Sequence, residues 1–445
     1  MKQELKDVLE YMLEITQKAG ADECDAILNK GESFSLSAQN GDIDKYKVSG
    51  SEVLGVRVIK DSKVGISYTE SFDKDALNLA ASSAVENALN SEENEYEHIL
   101  ATKGEMIEPC EFTKEDVSIE EKIDFCLRLE SEVKKKDKRV QSVPYNGYAE
   151  NEASSYYLSS SGLFGFHNEY YQSCYTSALL QAQNQSSMYY HSSIGRSFSE
   201  LDLESCVEKS IYHAAQWLDA KALSTGNYDI IFTTDAFSEI LNCFSLIYSG
   251  KSAMEGTNPY VDYLNQKVMS SALTIKDSPK YQKAFFKYHF DSEGQEHKDL
   301  HLIQDGVLKS FYHNSVTANY FGLDTTAHAA RSPKGGLGVR GTTRVISTGT
   351  LSNNELESGE YLEIHSLQGL HSGADAISGE FSFAASGYLC RDGQRVAPVK
   401  GITVSGNFYK MMKEIHLIGD EQLSDAQRGF FAPKLRFEKM SVAGS

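Results

Sequence analysis

Between residues 25 and 70 the chain runs through DAILNKG, SFSLSAQ, DIDKYKV, VLGVRVI and VGISYTE, five short stretches in which strand-forming and polar residues alternate. Asn40-Gly41, Ser49-Gly50-Ser51 and Lys60-Asp61-Ser62 punctuate them as turn signals. Alternation of this kind gives each strand one face for a core and one for water, which makes the region an antiparallel meander. Helical spacing brackets it. Leu5, Val8, Leu9, Met12 and Leu13 recur on one face over residues 3–19, and Leu77, Ala80, Ala81, Ala84, Val85 and Ala88 do so over 73–90. The same order returns downstream. A helix over 118–136 precedes a long strand-rich stretch and a helix over 202–221, so a structural duplication is expected from element order without any residue-level repeat. The fold class is therefore α+β. Residues 1–221 form an N-terminal α+β domain of helix-meander-helix units, with the polar stretch near 91–117 as linker. Residues 222–445 form a C-terminal, Gly-rich, mainly β domain, opened by the strand YDIIFTT and a helix over 235–249.

Charge narrows the partners. Asp plus Glu number 63 against 43 Lys plus Arg, a formal charge of -20 whose field repels phosphate backbones and anionic lipid, so no nucleic acid and no membrane are expected as partners. The one dense basic run, KKKDKR at 134–139, closes an amphipathic helix, where cations complement the dipole. Seven scattered cysteines without a CxxC pair fit neither a disulfide framework nor a zinc ribbon. A reducing cytoplasm is the expected location, and no stretch reaches the roughly 18 apolar residues of a membrane span.

Three stretches invite a chemical reading and resist it. In FDSEGQEHKDLHLIQDG, His297 and His301 stand four apart, a zinc spacing on a helix. The Asp305-Gly306 pair between two apolar runs instead marks a hairpin, and four strand residues span about 13 Å, too far for one ion. The two are read as exposed strand histidines, and Asp291 and Glu293, beside Gly294, as turn residues. Gly336-Leu337-Gly338-Val339-Arg340-Gly341 satisfies GxGxxG, but TTRVIST follows it where a dinucleotide site needs a helix. It is read as part of a long loop, 325–345. The nine tyrosines between 142 and 191 are read as outward strand positions rather than a sticky face. No GxxxxGK[ST] or GxSxG motif occurs.

Several linked stretches of the C-terminal half do carry a family signature: FDSEG at 290–294, QDGVLKSFYHNSVTA at 304–318, LQGLHSG at 367–373, SGEFSFAASGYLCRDGQRVAPVKGITVSGN at 378–407 and IGD at 418–420. Together they resemble the TldD/PmbA family, in its PmbA (TldE) branch, once labelled modulator of DNA gyrase. The resemblance implies a pair of subunits, one a zinc peptidase with HExxxH on a helix and a downstream Cys ligand, the other without them. An HxxxH helix presents two imidazoles to zinc, its Glu serves the bound water as base, and a third ligand leaves a position for substrate.

On that comparison the helix that would carry the motif is FSEILNCFSLIYSG, 237–250, which holds Glu239 and Cys243 but no histidine. Where the Cys motif would lie the chain reads SDAQRGFFAPKLRF, and Cys390 does not match the ligand position. No catalytic and no metal-ligating residue is assigned, and zinc is expected only in a TldD-like partner. His371, Ser372, Gly379, Phe381 and Ser382 are the candidates for lining a peptide cleft, because glycines there let a peptide backbone approach. His313, His328, His365 and His416 have no partner at ligand spacing. The expected function is that of a subunit supporting a TldD-type metallopeptidase on unfolded or modified peptides, as a heterodimer or with itself. A self-contained homodimeric peptidase and a regulatory binding protein are the alternatives.

Overall fold

The structure is a computed structural model that describes residues 2–108, 112–182 and 184–444; Cys110 lies outside them. It divides into two compact units. The first takes the chain up to Ala214 together with His289–Glu296 and His313–Val339, and the second takes Ala215–Tyr288, His297–Tyr312 and the chain from Arg340.

The first unit opens with α1 (Lys2–Lys18), then β1 (Glu23–Gln39), β2 (Asp42–Lys60), β3 (Lys63–Thr69) and α2 (Lys74–Leu89). After β4 (Gly104–Ile107) come α3 (Ile119–Lys136), β5 (Val140–Ser142), β6 (Asn146–Ser159), β7 (Leu163–Ala182), β8 (Gln185–Gly195) and α4 (Leu203–Leu218). Two meanders, β1-β2-β3 and β6-β7-β8, join through their first strands, because β1 and β6 pair antiparallel from Asp25↔Ser159 to Ser37↔Gly147. One continuous sheet results, with the expected duplication visible as two three-stranded halves, each accompanied by two helices.

Sequence dictates which face is covered. Cys24, Ala26 and Leu28 on β1 and Leu54, Val56 and Val58 on β2 meet Leu9 and Met12 of α1 and Leu77, Ala81 and Ala84 of α2 in one buried cluster. Burying each large apolar side chain stabilises the unit by about 2 kcal/mol. α2 is capped by Asp73, whose carboxylate accepts from Ala76 N. α3 starts with a Ser118/Glu121 capping box and ends on Lys134, Lys135 and Lys136, as its charge pattern requires. Glu130 of α3 accepts from the Asn40 and Gly41 amides at 2.7 and 2.9 Å and so fastens the β1–β2 turn, where both residues have positive φ.

Several expectations need correction. Five strand runs form only three strands: Ser49-Gly50-Ser51 does not break β2, because Glu32↔Gly50 and Gly31↔Ser51 pair within a ladder that β6 supports from the far side of β1. That two-sided pairing offsets the glycines' conformational cost of about 1 kcal/mol. The linker near 91–117 contributes β4, which pairs parallel with β7. Of the nine tyrosines, Tyr148, Tyr156, Tyr157 and Tyr170 are core residues rather than outward positions: Tyr156 joins the α1/α2 cluster, Tyr148 packs on Phe125 of α3, Tyr170 on Phe112, and Tyr157 on Ile27 and Leu163.

The second unit begins with β9 (Gly226–Phe232), α5 (Thr234–Cys243), α6 (Gly250–Met254), β10 (Ile275–Asp277), β11 (Leu300–Gln304) and β12 (Val307–Leu308). The Asp305-Gly306 hairpin between β11 and β12 is as expected. His301 lies on β11 and is half-buried, but His297 precedes the strand and is buried, its ring edge-on to Tyr288 at 6.4 Å, which corrects the exposed reading. The helix expected over 235–249 ends at Cys243 and tightens into a 3-10 turn over Ser245–Tyr248. The tighter turn sets Phe244 and Ile247 on one buried side, and Phe244 stacks on Phe408 at 4.3 Å.

The chain then contributes α7 (Ser315–Phe321), β13 (Ala329–Ala330) and β14 (Gly338–Val339) to the first unit. Loop 325–345 thus holds a short β ribbon. Its glycines lead into β15 (Arg344–Ile346), a strand, so GxGxxG has no helix behind it. The second unit resumes with β15, α8 (Asn353–Leu356), β16 (Glu360–Gln368), β17 (Glu380–Arg391), β18 (Gln394–Asn407), α9 (Phe408–Glu414), β19 (Leu417–Ile418), β20 (Leu423–Ser424), β21 (Phe430–Ala432) and β22 (Leu435–Ala443). Strands run in the order β18-β17-β16-β9-β22, and β22 pairs β18 again, closing a five-stranded ring.

Candidate functional site

In the second unit α5 follows β9 directly. Thr233 caps it by accepting from Ala236 N, and Ala236, Phe237, Ile240 and Leu241 bury one face. Asp235, Glu239 and Asn242 are exposed on the other, and Cys243 is half-buried with its thiol donating to the Leu370 carbonyl at 3.8 Å. Segment 425–430 folds onto the start of this helix, where the Ala426 amide donates to Asp235 at 2.8 Å. The titratable groups of α5 itself are two acids and a thiol, while Arg344 of β15 donates to the Asn242 side chain. Burial, then Asp235, pushes the Glu239 carboxyl up; burial, then Glu239, pushes the Cys243 thiol up; burial is also the main cause raising Asp425, with Asp235 adding to it.

Zinc bound at one of its usual sites would need thiolate, carboxylate and neutral imidazole donors converging on one point. Glu239 and Cys243 share a helix face, but no histidine stands with them on α5, and the thiol donates to the Leu370 carbonyl. Among the described residues no three His, Cys, Asp or Glu side chains are grouped as such ligands. The residues of α5 do not fit the ion.

Loop 369–373 faces this helix through Leu370. Gly369 adopts φ 82°, and its carbonyl accepts from the Ser372 and Gly373 amides at 3.1 and 2.7 Å. A Cβ on Gly373 would stand 2.4 Å from the Ser382 carbonyl, so only glycine lets the loop lie on β17. The five cleft candidates separate accordingly. His371 and Ser372 are exposed at the loop tip, and Ser382 is exposed with its hydroxyl 3.1 Å from that of Ser405 on β18. Gly379 turns the chain at φ 82° against Tyr409, and Phe381 is buried, stacked on Phe383 at 5.3 Å. β17 is paired on both sides, so its backbone is already satisfied.

A second constellation lies in the first unit on the sheet face opposite α1 and α2. Asp25 on β1 and Arg57 on β2 are register partners, with Nη2 and Oδ2 2.7 Å apart. Arg331 also binds Asp25. Glu293 and Glu97 each approach Arg57 at 3.5 Å, and the Tyr157 hydroxyl donates to Asp25 at 3.4 Å. Glu293 in turn accepts from the Ser315 amide and hydroxyl at 2.9 and 2.5 Å, at the first turn of α7. Asp291 accepts from the Glu293, Gln295 and Ala329 amides, each at 2.9 Å, so the turn expected around Gly294 is present, yet both its acids are buried. Burial opposes ionisation of Asp25, but Arg331 and Arg57 outweigh it and hold the carboxyl low; burial, then Glu293, drives Asp291 upward. The cluster ties β1 and β2 to segment 291–295, α7 and Arg331 and so acts as a clamp. It was not legible in sequence because its members are up to 306 positions apart. The one available signal was FDSEG itself, whose acids are unusual for a segment that ends up buried.

Models of the PmbA/TldA metallopeptidase match along nearly the whole chain: domain 1 at residues 24–88, the central domain at 112–216 and the C-terminal domain at 225–444. The chain belongs to the PmbA/TldD family. It is 23% identical to the metalloprotease PmbA homolog of Haemophilus influenzae over 458 residues, covering all of this chain and 97% of that protein. It is 22% identical to the metalloprotease PmbA of Escherichia coli O157:H7, with 99% and 96% covered. Among solved structures, a Thermotoga maritima protein named for modulation of a DNA gyrase superposes with a TM-score of 0.86 at 25% identity, over 99% of this chain and all of that one. TldE of Thermococcus kodakarensis shares the fold, with a TM-score of 0.83 at 19% identity over 98% of this chain and all of that one. PmbA/TldD membership thus extends over the N-terminal sheet as well as the C-terminal motifs. No helix among the described residues is long and apolar enough to cross a membrane.

Proposed function

We propose that this chain is the PmbA/TldE-type subunit of a two-chain peptide-degrading assembly, working in the cytoplasm beside a TldD-like subunit that brings the zinc. The observation that carries this reading is the chemistry of α5. At the place where a family zinc helix needs two imidazoles, the chain presents Asp235, a Glu239 carboxyl pushed up by burial and then by Asp235, and a Cys243 thiol bound to the Leu370 carbonyl. Such a surface suits a supporting role. His371 and Ser372 are exposed in the loop this helix touches and Ser382 is exposed on β17, and these are the residues we assign to contact substrate. The substrate is an unfolded or modified peptide, bound extended while the partner's zinc-activated water attacks the carbonyl.

The test incubates the purified chain with unfolded casein peptides, alone and with a TldD-like subunit. Cleavage is expected only in the mixture, lost with a chelator, and retained in Glu239→Ala and Cys243→Ala variants of this chain. Hydrolysis by the chain alone overturns the reading.

A further inference from the structure

Beneath α3 the first sheet has one face toward that helix and one away from it. Leu36 of β1 and Tyr148 of β6 are register partners on the helix side, where the Cys126 thiol of α3 donates to the Leu36 carbonyl at 3.8 Å and Phe125 meets Tyr148 edge-on. Side chains alternate along a strand, so the residue after Leu36 and the one before Tyr148 point the other way. On that far face Lys45, Ser37, Gly147, Tyr175 and Ser192 stand in one register row across five strands.

Three local devices shape a recess of about 220 Å³ along this row. Gly147 leaves a gap in it. A Cβ there would stand 2.5 Å from the Tyr175 hydroxyl, so only glycine lets the phenol lie where it does. A bulge supplies the acid. The register passes from Ser37↔Lys45 to Ala38↔Ile43, which leaves Asp44 as the extra residue, and the Ser37 hydroxyl donates to its carboxylate at 3.3 Å. Tyr145 supplies a platform. It is 56% exposed, yet its backbone is pinned, because the Ser177 hydroxyl accepts from its amide at 2.9 Å and donates to its carbonyl at 3.0 Å.

These groups select an occupant. One carboxylate, Asp44, and one ammonium, Lys45, leave the recess without net charge, so neither an anion nor a cation is favoured. Leu36 and Ala38 are buried, so apolar contact comes only from the tyrosine rings and Pro144. β1, β6 and β7 are each paired on both sides, so a peptide cannot add here as a strand. The complementary ligand is small and neutral, donates and accepts several hydrogen bonds, and offers a flat C–H face to a tyrosine ring. A recess smaller than the about 300–1,000 Å³ of drug-sized sites holds one ring.

We infer that this recess binds a single neutral sugar ring, with Asp44 accepting from its hydroxyls, Lys45 and Ser37 donating to them, and Tyr145 stacked on its C–H face. Binding requires neither zinc, partner nor hydrolysis, so it stands or falls apart from the peptide-handling role.

The experiment uses the full chain and saturation-transfer NMR with glucose, galactose, mannose and N-acetylglucosamine. At least one is expected to bind saturably with a Kd below about 10 mM, and at least about tenfold more weakly to Tyr145→Ala and to Asp44→Ala. Both side chains are exposed, so both variants should keep the parent's thermal midpoint. The inference is overturned if none of the four sugars binds up to about 50 mM, or if both variants bind as the parent does. Equal binding of glycerol would reduce the site to unspecific polyol contact, and tighter binding of glucuronate or glucosamine would show that charge selects the ligand; either overturns it. So does acetyl-Gly-Asn-amide binding more tightly than any sugar and being lost in the same variants, which would give the recess to peptide.

Discussion

Arg57 and Asp25 meet side by side across adjacent strands, Nη2 to Oδ2 at 2.7 Å, each about 1% exposed. Two guanidinium groups, Arg57 and Arg331, answer three carboxylates, Asp25, Glu97 and Glu293, in a space from which water is largely excluded. Removing one partner therefore leaves an uncompensated buried charge. Arg57→Met is expected to destabilise the chain by about 3–5 kcal/mol in urea unfolding. Asp25→Asn in that background should recover part of the loss, and a double-mutant cycle measures the coupling.

His313 sets an acid limit. It is buried in the first unit, its Nδ1 3.1 Å from the Thr317 hydroxyl. Burial, and to a lesser degree His328, pushes its pKa from 6.5 to about 4. As pH falls the unfolded chain takes up this proton first, so the contribution is complete above the ordinary histidine pKa and is lost progressively down to the depressed one. The expected loss is about 3 kcal/mol between those limits, read from denaturant midpoints at successive pH values. In His313→Gln that part of the pH dependence should vanish.

Gly55 tests close packing rather than charge. A Cβ there would stand 1.8 Å from the Pro333 carbonyl oxygen. Gly55→Ala cannot be accommodated without moving backbone, and is expected to cost about 1–3 kcal/mol by thermal or urea unfolding, with hydrogen exchange quickening around 331–335.

Cys243 should behave as a sluggish thiol. Burial and then Glu239 hold it protonated beyond the usual range. Alkylation by iodoacetamide at pH 8, followed by mass spectrometry, is expected to be several-fold slower than for an unhindered thiol, about in proportion to its thiolate fraction. Glu239→Gln should quicken it.

Local periodicity made much of this legible. α1, α2 and α3 lie within two residues of the ranges their apolar spacing indicates, and the Asn40-Gly41 and Asp305-Gly306 turns sit where expected. What escaped was set by neighbours distant in sequence. Gly50 reads as a break until β1 supplies a partner, and Tyr148 and Tyr156 read as surface until helices α3, α1 and α2 cover them. Glu293 illustrates the limit best. As a sequence feature it is a turn acid beside glycine; in the folded chain it binds Arg57, 236 positions earlier.

That separation has a temporal meaning. Asp25 and Arg57 leave the ribosome early, while Glu293 and Arg331 follow 236 and 306 positions later. At about 5–20 residues per second, Asp25 waits roughly 15–60 s for its second guanidinium. During that interval the nascent N-terminal sheet exposes a half-neutralised polar face, so this half of the protein matures only when most of the rest has been made.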